Sequence, residues 1–191
     1  MSFKEPGFIR VVLVICMTEI IGTSIYKKYV NSLNLKGNEN ILDFGSGSGA
    51  ASRYIAQHLL KGNGRLTCVD ISKVWMKKIK KKMKIYPNVE FKLGDISKID
   101  IEDGSYDLVF VNFVLHDIEQ SLRLKTVNTL SRKLKDTGIF FVREPIRKYH
   151  GMPAEEIKQL MTQSGLKEID YKIKKLFLEM PPNYAGMFVK N

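Results

Sequence analysis

The chain has 191 residues, 44% of them apolar, with 31 Lys/Arg against 20 Asp/Glu for a net charge of +11. That length suits one domain with a sizeable core; the only cysteines, Cys16 and Cys68, are too few for a disulfide scaffold or a Cys-rich zinc site and read as buried free thiols in a reducing compartment. The charge favours acidic partners such as nucleic acid or anionic lipid, while the longest apolar run near the N-terminus, residues 11–17, is far shorter than the roughly 18–20 residues of a membrane span, so no transmembrane segment and a cytoplasmic location are expected.

Residues 1–7 read as a loose start. Over residues 8–35 apolar side chains recur at three- and four-residue spacings, first Phe8, Val11, Val12 and Ile15, then Ile25, Tyr26, Tyr29, Val30 and Leu33, which predicts one or two helices. Gly22-Thr23-Ser24 interrupts them, and Thr23 or Ser24 can cap the second. This helical cap, residues 1–37, leads an α/β core of residues 38–191. It either covers a ligand crevice, moving at Gly22, or simply packs on the sheet. A buried strand follows over 41–44, then a glycine turn and a helix over 50–60 that Gly62-Asn63-Gly64 stops. Residues 66–70 form the second strand.

The next helix, over 72–85, carries Lys73, Lys77, Lys78, Lys80, Lys81, Lys82 and Lys84 outside a core face of Trp75, Met76, Ile79 and Met83. A solvated lysine face without interleaved aromatics is weak evidence for nucleic acid. After Pro87-Asn88 comes a third strand over 89–93, then Gly94-Asp95-Ile96. Residues 106–112 are almost continuously apolar, as in a strand covered on both faces. A helix over 119–133, a turn at 136–138, a strand over 139–144 ended by Pro145, and a helix over 153–164 follow. The tail alternates over 168–175, turns at 180–183 and returns over 184–189 as an antiparallel partner. One domain over residues 1–191 is expected. Its α/β fold is an open, mostly parallel sheet with one antiparallel strand at or near an edge, flanked by helices.

The chemistry concentrates at Asp43-Phe-Gly45-Ser46-Gly47-Ser48-Gly49. Glycines at 45, 47 and 49 let backbone approach a ligand where a Cβ would collide. Asp43, at the carboxyl end of the first strand, would repel a pyrophosphate and attract a cationic or amino-bearing ligand. Asp70, ending the second strand, can accept both hydrogen bonds of a ribose diol; a turn or helix cap is the structural alternative for it and for Asp95. The glycine motif resembles the first motif of the class I S-adenosylmethionine-dependent methyltransferases, Asp/Glu-x-Gly-x-Gly-x-Gly, and the likeness extends over most of the chain to their Rossmann-like seven-stranded sheet.

That resemblance implies S-adenosylmethionine as cofactor and S-adenosylhomocysteine as its product. It implies a cofactor site of Asp43, Gly45, Ser46, Gly47, Gly49, Asp70, Ile71, Gly94, Asp95, Ile96 and Asn112. Asp70 would hold the ribose beside Ile71 at the adenine. Asp95 would accept from the adenine amino group with Ile96 backing the ring. Asn112 would stand near the methionine part through its backbone carbonyl. Asp43 would act on the methionine amino group or a loop amide.

On the acceptor side, His116 can take a proton from a hydroxyl, thiol or amine. The resemblance narrows to small-molecule enzymes like those acting on quinone precursors, which often carry a histidine in this loop. Asp117 can cap the following helix, and Glu144 can recognise an amino group or hold His116. Phe113, Val114 and Leu115 can form an apolar wall, with Tyr26, Phe113, Tyr149 and Tyr184 as pocket candidates. No metal site is expected, because His58, His116 and His150 are dispersed. The strand end Asn112-Phe-Val-Leu115 lacks the Asn-Pro-Pro-Tyr kind of signature seen in many base-directed methyltransferases. Methyl transfer to a small molecule by in-line displacement is therefore the expected function. An RNA or DNA methyltransferase and a non-catalytic S-adenosylmethionine- or nucleotide-binding module are the alternatives.

Overall fold

The structure is a computed structural model that describes residues 5–16, 18, 23–147, 151–175 and 182–191. Two helices lead, α1 (Phe8–Cys16) and α2 (Thr23–Asn31), followed by β1 (Asn40–Phe44), α3 (Ser52–Leu59), β2 (Arg65–Asp70), α4 (Lys73–Lys82) and β3 (Val89–Leu93). Then come β4 (Tyr106–Asn112), α5 (Gln120–Lys133), β5 (Leu134–Pro145), α6 (Ala154–Gln163), β6 (Leu166–Lys175) and β7 (Pro182–Lys190). The strands make one seven-stranded sheet in the order β3-β2-β1-β4-β5-β7-β6. The β1–β2, β2–β3 and β4–β5 pairs are parallel, and β7 runs antiparallel to both β5 and β6. This is the mostly parallel sheet with flanking helices that the βα alternation predicts.

The chain forms two compact units, Met1–Ile99 and Asp100–Asn191. The leading helices fall within the first unit, with β1 to β3. In the first unit Ile41, Leu42, Ile55, Leu59, Leu66, Cys68, Val69, Ile79 and Met83 are buried, as expected for parallel strands covered by helices. Ser72 starts α4, its hydroxyl accepting the Trp75 N–H at 3.2 Å, and Met76 and Ile79 face inward from it.

In the second unit Val109, Phe110, Val111, Phe140, Val142 and Phe188 form the core, with Phe110 stacked on Phe141 at 5.1 Å between ring centroids. The turn expected at residues 136–138 lies inside β5. Tyr106 pairs with Leu134 and Leu108 with Ile139, so the strand swells by three residues there without breaking. Gly22, the expected hinge, lies outside the described residues. β6 is the outermost strand on its side, exposed from Ile169 to Lys175.

Candidate functional site

The first unit builds a cradle at the ends of β1 and β2. The Val69 carbonyl accepts from Gly45 N at 2.8 Å, Ser46 N at 3.1 Å and the Ser46 hydroxyl at 3.1 Å, which folds the glycine loop back over β2. The buried Asp70 carboxylate closes it, accepting Gly47 N–H at one oxygen and Ser72 N–H at the other, each at 2.8 Å. Burial pushes the Asp70 carboxyl above its ordinary range, against the pull of those amides. Gly47 stands at φ +52°, and the nearest heavy atom to the position of an added Cβ is 3.8 Å away, so the loop crest is open. Ile71, beside it, is 44% exposed. The end of β3 joins the cradle through Gly94 N–H, donated to the Asp70 carbonyl at 3.0 Å.

Several residues assigned to a ligand by sequence also have partners within the fold. The Ser46 hydroxyl is spent on Val69. Gly49 is buried at φ +74°, where a Cβ would stand 2.8 Å from Ile79 Cγ1; its lack of a side chain lets the loop pack on α4. Asp43 is buried and accepts the Ser52 hydroxyl at 2.5 Å, with no loop amide on its carboxylate among the described contacts. Burial foremost, with Asp70 nearby, raises its pKa to about 7 although Ser52 pulls the other way. Asp95 caps its own turn, one oxygen accepting both the Ser97 N–H and hydroxyl at 2.9 Å. Ile96 is buried as core.

The N-terminal segment also reaches this cradle. Glu5 accepts the Ser72 hydroxyl at 2.5 Å and Lys73 N–H at 2.8 Å, adding a carboxylate to the N-terminus of α4, where the helix dipole favours one. Thr18 lies 3.4 Å from the Ser48 hydroxyl, and Arg53 donates to Thr23 at 3.0 Å. Tyr26 is half-buried on α2.

The second unit centres on Glu144, which is fully buried. One of its oxygens accepts Val114 N–H at 2.9 Å and Leu115 N–H at 2.7 Å; the other lies 2.6 Å from His116 Nδ1. Glu144 therefore holds His116, one of the two roles expected for it, and orients the histidine. Phe113, just before these amides, holds φ +60°, a strained region for a bulky residue. Its N–H donates to the Arg143 carbonyl at 2.8 Å, and the Arg143 guanidinium covers its ring at 4.6 Å. Arg123 ties the following 3-10 turn (Leu115–Asp117), donating to the carbonyls of Ile118 and His116 at 3.0 and 3.3 Å while pairing with Glu156 at 2.6 Å. The Asn112 side-chain oxygen is buried without a hydrogen-bond partner among the described residues.

Tyr184, a pocket candidate from sequence, lies in the second unit. It is fully buried in β7, its hydroxyl donates to Glu168, and its ring stacks on Tyr171. Tyr149 and His150 lie outside the described residues. Glu5, Ser52, Ser72 and Arg123 are the contributors that sequence motifs do not single out; only Ser72, opening a periodic helix, carries a local signal.

Residues 41–138 match the model of a family described as "Methyltransferase domain". Among curated proteins, the chain is 31% identical over 128 residues to a protein-L-isoaspartate O-methyltransferase of Dictyoglomus thermophilum, covering 63% of this chain and 53% of that one. It is also 31% identical over 138 residues to a highly reducing polyketide synthase of Gibberella fujikuroi, covering 65% of this chain and 5% of that one. The chain thus spans about half the length of the first relative and a small part of the second. Among solved structures, a SAM-dependent methyltransferase of Methanosarcina mazei superposes with a TM-score of 0.72 at 17% identity, over 82% of this chain and 94% of that one.

Proposed function

Because the chain belongs to the methyltransferase domain family, matched over residues 41–138, we propose that it transfers a methyl group from S-adenosylmethionine to a small-molecule acceptor. The observation that carries the cofactor half is the Gly47–Asp70 cradle, an open glycine crest joined at 2.8 Å to a buried carboxylate. Each Asp70 oxygen takes one N–H, and a carboxylate oxygen has a second lone pair for a ribose hydroxyl. Ile71 offers an apolar face to an adenine. In the second unit the Asn112 side-chain oxygen, without a hydrogen-bond partner among the described residues, can accept from an ammonium. Asp70 and Ile71 fit the nucleoside end of that cofactor.

When bound, the cofactor supplies an electrophilic methyl on a sulfonium. Positive charge disperses as such a methyl leaves, so an apolar surround of Phe113 and Val114 serves the displacement better than a fixed ion pair. Glu144, accepting from Nδ1–H of His116, leaves Nε2 as the basic nitrogen, which then receives the acceptor's proton. The kinship with a polyketide synthase and the strand end Asn112-Phe113-Val114 support a small-molecule acceptor.

Calorimetry with S-adenosylhomocysteine tests the cofactor half. Wild type should bind it and Asp70→Ala should bind at least about tenfold more weakly, the share of a lost charge-assisted hydrogen bond. Folded wild-type protein that takes up no nucleoside would refute the reading.

A further inference from the structure

Helix α1 turns an apolar face outward. Phe8, Ile9, Val12 and Leu13 are 82%, 75%, 40% and 58% exposed, and Cys16, expected to be buried because it sits in an apolar run, is exposed on the same side of the helix. At about 100° per residue these five fall within roughly 140° of one side of the helix, while Val11 on the other side is buried at 2%. The segment is tied at both ends to the same neighbourhood. Glu5 holds the N-terminus of α4 through Ser72 and Lys73. Thr18 meets Ser48, whose carbonyl accepts Lys82 Nζ at 3.2 Å from the C-terminal turn of α4.

The helix so bracketed is the basic one. Lys73, Lys77, Lys80, Lys81 and Lys84 recur at three- and four-residue spacings and are all exposed. Charge is divided unevenly along the chain. Residues 1–99 carry 17 Lys/Arg against 7 Asp/Glu, a net +10, and residues 100–191 carry 14 against 13, a net +1. Almost the whole excess therefore sits in the unit that exposes the apolar stripe.

We propose that α1 and the lysine face of α4 together dock the protein on an anionic phospholipid bilayer. The five apolar side chains enter the acyl boundary and the lysines meet the headgroups. The composition of a helix lying in a membrane interface, apolar side chains on one face and lysines on another, is here divided between α1 and the α4 to which its segment is tied, and no described helix is long and apolar enough to cross. A nucleic acid would satisfy the lysines but leave the stripe in water. The proposal rests on no part of the methyl-transfer reading.

The test uses the full chain and vesicles of phosphatidylcholine with about 30% phosphatidylglycerol, in co-sedimentation at low and high salt and without cofactor. Binding should be at least about tenfold stronger than to pure phosphatidylcholine vesicles and should weaken steeply between about 0.1 and 0.5 M salt. An environment-sensitive dye on the exposed Cys16 should shift to the blue on these vesicles. Phe8→Ser with Leu13→Ser, at solvent-facing positions, should cut binding by at least about tenfold. Lys77→Gln with Lys80→Gln and Lys84→Gln should do likewise.

Equal affinity for charged and neutral vesicles, or none for either, overturns the proposal. So does vesicle binding that the lysine variant loses and the Phe8/Leu13 variant keeps with no dye shift, which marks a polyanion surface. Wild-type self-association that the Phe8/Leu13 variant abolishes, with no vesicle binding, overturns it as an interface between copies. The lipid, salt and dye arms use the unmutated chain, so a misfolded variant would not blunt the test.

Discussion

Removing the Glu144 carboxylate would strand the amides of Val114 and Leu115 and release the His116 ring, beside a Phe113 backbone already held in a strained conformation. Glu144→Ala should destabilise the protein by about 2–4 kcal/mol, read from urea unfolding, and Glu144→Gln, which keeps an acceptor, by less. Asp43 gives a pH signature. Its unfolded carboxyl ionises near 4 and its folded one at about 7, so the fold holds the extra proton between those values. The stability it contributes is therefore fully present below about pH 4 and lost as pH rises through about 7, a swing on the order of 4 kcal/mol. Asp43→Asn should flatten the urea midpoint between pH 5 and pH 8; an unchanged slope would mean another group titrates. Asp43 and Asp70 were legible as acids ending apolar runs. Their partners were less so: Ser72 shows as the start of a periodic helix, but that it and Ser52 meet these carboxylates is set by how α3 and α4 approach the strands, which no spacing encodes.

At the level of elements, the contact between the glycine loop and α4 depends on an absent side chain. Gly49→Ala would place a Cβ 2.8 Å from Ile79 Cγ1 at φ +74°. Left-handed strain and overpacking together should cost about 2–4 kcal/mol, measured as a lowered denaturation midpoint. Ser72→Ala should cost about 1 kcal/mol through the lost cap, and more if the Glu5 tether goes with it. Periodicity located α4, α5 and α6 to within a few residues, since each buries one face. It placed a turn at residues 136–138 where β5 only swells, because Asp136 and Gly138 look the same in a bulge as in a turn. Tyr184 was ambiguous for a related reason. A tyrosine in an alternating strand does not say whether its hydroxyl meets a ligand or, as here, Glu168.

For the molecule as a whole, the βα alternation and the closing hairpin were enough to foresee the open sheet. Strand order was less accessible, because the place of β7 between β5 and β6 depends on long-range pairing. Binding of S-adenosylhomocysteine at about a hundred times its Kd should add about 2.7 kcal/mol, or about 5–10 °C in Tm for a chain of this size. A thermal scan checks this, and Asp70→Ala should abolish most of the shift. The sheet ends in β6, whose Ile169, Tyr171 and Ile173 are exposed among Lys167, Lys172, Lys174 and Lys175. An outermost strand of this kind is a template on which a second copy's strand can grow, and clustered ammonium groups repel the incoming rim. Removing that repulsion, with Thr at 172, 174 and 175, should let the protein polymerise edge to edge into dye-binding fibres, and strong salt should start the same slide in the unaltered chain.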